Sequence, residues 1–136
     1  MLNFPYTILP SKKGKVYKPY INVVLNYKKT HKVTLPTKAL IDSGADVCFC
    51  HEMIGTWLGI KFNKTKNIVK FTAANGQIFD TKLEEVCIYV GNKTYNCKFY
   101  FSDVLPSTTP IILGQIGFFD NFKVIFDLPN KVINLE

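Results

Sequence analysis

No apolar stretch of this sequence runs far before a turn signal breaks it: "KKTHK", "AANGQ", "GNK", "LPSTTP" and "LPNK" punctuate the chain. Between the breaks the residues alternate. In "PYINVVLNY", Ile21, Val23, Leu25 and Tyr27 share one side, while Asn22, Val24 and Asn26 largely take the other, the pattern of a half-buried strand. "VTLPTKALID" is again extended, with Pro36 marking an edge or a bulge, and the two form a hairpin that ends on Asp42. Asn75-Gly76 predicts a tight hairpin turn, because both residues tolerate positive φ. "YNCKFYF" and "PIILG" read as further strands, and "KVIFDLPNKVINLE" as a closing hairpin around Pro129-Asn130. "HEMIGTWLGI" allows a short helical turn, and "QIGFFDNF" fits one or two turns of helix with Phe118 and Phe122 at i and i+4. The expected fold class is all-β, a barrel with one short C-terminal helix.

A chain of 136 residues holds one core, so residues 1–136 are read as a single domain, with 1–17 as a basic N-terminal arm and 18–136 as the core. No stretch approaches the roughly 20 apolar residues that span a bilayer, and the start lacks the pattern of a secretory signal. A soluble, cytoplasmic protein without membrane contact is expected. The net charge of +7 is uneven: residues 1–41 carry eight lysines and no acid, residues 42–136 nine lysines against ten acids. All 17 basic residues are lysine, so the guanidinium forks of phosphate and base recognition are absent and a nucleic-acid partner is disfavoured.

Cys48 and Cys50 point the same way along one strand, and with His51 they do not make a tetrahedral zinc spacing. Cys87 and Cys97 flank the "GNK" turn and are placed to face each other across strands. All four are read as buried free thiols, and no metal or cofactor is expected. His31 and His51 read as surface or satisfied residues. Trp57 and Leu58 read as core packing, as do Phe118, Phe119 and Phe122.

Against this background "ALIDSGADVCFC" stands out, since it carries Asp42 and Asp46 into an otherwise apolar run. Gly44 permits a tight turn that leaves the Asp42 carboxylate at a strand tip rather than in the core. A single carboxylate cannot both accept and donate a proton while water attacks an amide. Two carboxylates about 3 Å apart can, because they cannot both ionise. The chain contains one Asp-Ser-Gly, so a second copy of Asp42 must come from a second protomer related by a two-fold axis.

"LIDSGADV" resembles the active-site stretch of the retropepsin-like aspartic proteases, and "IILG" resembles their second signature, with the "AANGQ" hairpin between them where that family carries its flap. The similarity covers residues 18 to 136 in order and is greatest to single-domain bacterial or archaeal members. It implies a homodimeric aspartic endopeptidase acting on an extended peptide or protein substrate. By the same resemblance Asp42 is the catalytic residue and Ser43 a hydroxyl grip between subunits. Gly44, Ala45 and Asp46 bind the substrate backbone, Ala74, Asn75 and Gly76 form the flap tip, and Gly114 lets its loop pack beneath the active-site loop. One departure is Gln115, where viral relatives place an arginine that ties to the acidic residue of the first motif; Asp46 thereby loses a fixed cation. Two other classes fit the sequence. One is a non-proteolytic dimer of the same fold serving as a protein-interaction module. The other is a binder of an acidic partner working through the N-terminal lysines.

Overall fold

The structure, a computed structural model, describes residues 1–64 and 66–136. It is mostly β, as the alternation predicts. The barrel begins with β4 (Tyr20–Tyr27), whose Ile21, Val23, Leu25 and Tyr27 are all buried, and β6 (Thr37–Ile41), which pairs antiparallel to it. Before them come β1 (Leu2–Pro5) and a two-stranded hairpin of β2 (Thr7–Ser11) and β3 (Gly14–Lys18), and β5 (Lys32–Val33) lies on the outer edge of β4. The extended run breaks at Pro36, between β5 and β6.

Next come β7 (Cys48–His51), β8 (Ile68–Thr72), β9 (Ile78–Val90), β10 (Lys93–Ser102) and β11 (Ile111–Leu113). The strand order is β5-β4-β6-β11-β7-β10-β9-β8, and a further pairing of β4 with β9 closes the sheet into a barrel. Closure removes the free edges along that ring. Phe99, Phe101, Leu25, Ile88, Ile111 and Leu113 fill its interior with almost no solvent exposure. Each such side chain contributes roughly 1.5–3 kcal/mol of burial free energy. A second sheet, β1-β13-β12, is formed with β12 (Val124–Asp127) and β13 (Val132–Leu135), so the first strand of the basic arm is paired within its own chain.

Several expectations are corrected. The one α-helix among the described residues is α1 (Glu52–Trp57), capped by His51, whose Nδ1 accepts the Met53 N–H at 3.1 Å; it is not C-terminal. Residues 115–121 instead form consecutive turns, because Gly117 takes φ +108° and Asp120 Oδ1 accepts its N–H at 2.9 Å. Phe118 and Phe122 are nonetheless buried and in ring contact at 5.1 Å. Trp57 is 57 % exposed, since α1 buries its other face through Gly55 and Leu58 follows it into the core.

Cys87 lies opposite Asn96 and Cys97 opposite Val86, so the two thiols point to different faces and cannot meet. All four cysteines are free and buried. The "AANGQ" turn gives positive φ to Gly76 alone (+84°); the Ala73 carbonyl accepts the Gly76 N–H at 2.9 Å, making a three-residue loop rather than a two-residue one.

Candidate active site

Parallel pairing of β6 with β11 sets Leu113 beside Ile41, which brings the residues following each strand, Asp42 and Gly114, to the same end of the barrel. The Asp42 N–H donates to the Leu113 carbonyl at 3.0 Å, which fixes the aspartate at its strand tip. The chain then turns. Asp42 Oδ1 accepts the Gly44 N–H at 2.9 Å, and the Asp42 carbonyl accepts the Ala45 N–H at 3.2 Å. Oδ2 of Asp42 has no protein partner among the described residues, so one carboxylate oxygen is held and the other is free to act. Asp42 is half-buried, while Ser43, Gly44 and Asp46 are exposed.

The loop after β11 clamps this turn from below. The Gln115 and Ile116 N–H groups donate to the Ala45 and Asp46 carbonyls, both at 2.9 Å, and Gln115 Nε2 donates to the Ser43 carbonyl at 2.8 Å. Gln115 thus holds the backbone of the first motif instead of a carboxylate. The Asp46 side chain has no ion-pair partner among the described residues. Gly114 is buried against this turn, and its N–H donates to Cys48 Sγ at 3.4 Å.

Behind the loop the Cys97 thiol donates to the Gly117 carbonyl at 3.6 Å and the Cys48 thiol to the Ile116 carbonyl at 3.5 Å; the neighbouring Cys48 thiol, followed by burial, pushes the Cys97 thiol well above its ordinary range. Burial alone does the same to Cys50. Tyr95, whose hydroxyl donates to the Gly117 carbonyl at 2.8 Å, is likewise pushed up by burial and then by the neighbouring thiols and Asp120. These groups stay protonated at neutral pH and pack the loop from inside.

In front of the loop is a cleft of about 300 Å³ that brings Asp42, Gly44, Ala45 and Asp46 together with Phe49, Phe71, Thr72, Ala73, Phe79, Leu105 and Ile112. Its roof is the β8–β9 hairpin, where Phe71 and Phe79 are cross-strand partners. Phe71 meets Phe49 edge-on at 5.1 Å and Tyr100 at 5.1 Å, so the roof rests on β7 and β10 through aromatic contacts. Ala74, Asn75 and Gly76 lie at the exposed tip of the hairpin and do not line the cleft in this conformation. The aromatic lining escapes a reading of the sequence alone. Its signal is the period-two alternation that buries Cys48 and Cys50 in the core and leaves Phe49 on the opposite face.

No family model matches the sequence, and none of the curated proteins compared with it matches. Among solved structures the chain is similar to a retropepsin-like aspartic protease from Rickettsia conorii, with TM-score 0.63, 18% identity and 98% of each chain covered. It is also similar to the EIAV protease in complex with an inhibitor, with TM-score 0.51, 18% identity, and 72% of this chain and 82% of that one covered. With its closed barrel, single short helix and hairpin over the Asp42 loop, the chain therefore has the retropepsin-like fold.

Proposed function

We propose that this chain is an aspartic-type endopeptidase whose site is completed by a second copy of itself. The carrying observation is Asp42, held at a strand tip through one carboxylate oxygen with the other unbonded among the described residues, in an apolar cleft roofed by a hairpin. The solved proteins of similar fold are named as proteases, one of them with an inhibitor bound.

In this mechanism two Asp42 side chains share one proton across a two-fold axis. The ionised carboxylate takes a proton from a water held between them, and that water attacks the scissile carbonyl. The protonated carboxylate polarises the same carbonyl, and the tetrahedral intermediate collapses as the amine is protonated. Ser43 would tie the two loops together through its hydroxyl. Gly44, Ala45 and Asp46 would hydrogen-bond an extended peptide backbone, with the Asp46 carboxylate accepting an N–H. Ala74, Asn75 and Gly76 would come down over the substrate when the hairpin closes. Gly114 supports the loop from beneath. Phe49, Phe71, Phe79 and Ile112 favour an apolar side chain next to the scissile bond.

The test is cleavage of a diverse peptide mixture by wild type and Asp42→Asn. The expected outcome is a loss of about 10³-fold or more in the variant, with its dimerisation unchanged. Equal cleavage by the two proteins, or none by a dimeric wild type, would refute the reading.

A further inference from the structure

Among the described residues the β2–β3 hairpin pairs only with itself and stands outside both the barrel and the β1-β13-β12 sheet. A two-stranded hairpin is at best marginal alone in water. Its apolar cross-strand pairs are Ile8 with Tyr17 and Leu9 with Val16. Lys131 covers the Tyr17 ring, with Nζ 4.5 Å from its centroid, yet Ile8 remains 54 % exposed and Leu9 37 %.

The place where the hairpin leaves the molecule matters most. Thr7 and Lys18 close its base, and the next residue, Pro19, accepts the Ile41 N–H at 3.0 Å, directly beside Asp42. Tyr20 then bonds Thr109 at 3.2 Å, just before β11. The arm therefore springs from the rim that carries the active-site loop. Ile116, whose N–H holds Asp46, is exposed on that rim.

We propose that the β2–β3 hairpin is a dimerisation arm: it reaches onto the rim of the other protomer, around the partner's active-site loop, where Ile8 on one of its faces and Leu9 on the other become covered. The inference rests on the reading that a second copy completes the site. A two-fold axis passing by Asp42 turns the two rims toward each other, and the arm is the apolar element that leaves the molecule there. Each protomer would then help to fix the loop that carries the other's aspartate.

The test is the dimer dissociation constant from sedimentation over a wide concentration range, for wild type, Ile8→Asp/Leu9→Asp and Leu35→Asp. Leu35 is more solvent-facing still (82 % exposed) but precedes β6, at its end away from Asp42. A second variant joins Thr7 to Lys18 through a two-residue turn, removing the arm without touching the barrel. Both arm variants are expected to weaken the dimer about tenfold or more, with monomer melting unchanged and Leu35→Asp behaving as wild type. Peptidase activity would fall with the fraction of dimer and return at high protein concentration. An unchanged dissociation constant in the arm variants, or a wild type that never dimerises, would overturn the proposal. A dimer that depends on the arm but cleaves nothing would uphold the arm and refute the peptidase reading.

Discussion

Gly114 has no room for a side chain: a methyl there would overlap the Val47 carbonyl oxygen and stand 2.7 Å from that of Ala45. Relief would need the two loops to part, breaking the hydrogen bonds from Gln115 and Ile116. Gly114→Ala is therefore expected to cost about 3 kcal/mol, read as a fall in melting temperature on the order of 10 °C. Gly44 differs. A methyl there would meet only Asp42 Oδ1, at 3.2 Å, with solvent on its other side. Gly44→Ala should melt within about 0.5 kcal/mol of wild type yet lose roughly tenfold in kcat, since it presses on the carboxylate proposed to react. Equal effects of the two substitutions on stability would contradict this division. Cys50 carries a pH prediction. Burial raises its thiol in the folded chain, whereas in the unfolded chain it titrates near its ordinary value of about 8.5. Below that value both states keep the proton and nothing is lost. Above it the unfolded chain releases a proton that the folded chain keeps, so stability falls with rising pH by up to about 1.4 kcal/mol per unit. Urea titrations between about pH 9 and 10.5 should show a shallower decline for Cys50→Ala than for wild type; parallel slopes would exclude the mechanism.

The β8–β9 hairpin is the element on which access to the cleft depends, and it is held down by rings rather than by a buried core. Phe71 and Phe79 touch Phe49 and Tyr100, and the salt bridge across its strands, Lys70 to Asp80 at 2.8 Å, is largely exposed and contributes little. Phe71→Ala should leave the barrel folded, at a cost of about 1–2 kcal/mol, and raise KM for substrates with a large apolar residue while changing kcat less. Steady-state kinetics on one peptide series checks this; a fall in kcat alone would place Phe71 outside substrate binding. Most strands and hairpins after residue 18 are legible in the sequence because alternation and turn residues are local signals, whereas β1, β2 and β3 lie in a stretch that reads only as a basic arm. The "QIGFFDNF" segment misleads because aromatic residues at i and i+4 suit a helix and a chain of turns equally, and the positive φ of Gly117 decides for turns. The pairing of Cys97 with Cys48 rather than Cys87 depends on register, where a shift of one residue reverses the face. The approach of Gly114 to Asp42 arises from parallel pairing, which no local pattern encodes; resemblance to a known family supplies it instead. The aromatic lining becomes readable only once the closed barrel determines which strand face is inside.

At the scale of the whole molecule, charge sets how two copies can meet. The chain carries +7, and its first 41 residues hold eight lysines without an acid. The three salt bridges among the described residues use Lys70, Lys82 and Lys123, so none neutralises that N-terminal excess. The β2–β3 arm includes Lys12, Lys13, Lys15 and Lys18, so the proposed association would bring like charges together around an apolar contact. Salt shortens the reach of that repulsion, from about 10 Å at 0.1 M to about 3 Å at 1 M, while leaving the apolar contact intact. Dimerisation should therefore strengthen as sodium chloride rises, by about tenfold across that range. A chain that used its lysines to hold an acidic polymer would do the reverse, its binding falling steeply as counterions compete. Sedimentation of the protein alone, together with titration of a polyanion such as heparin at the same salt concentrations, separates the two. A tighter dimer in high salt with little polyanion binding in moderate salt is the outcome expected of a self-assembling protease. Weakening of both with salt would make the lysines the working surface and the Asp42 cleft secondary.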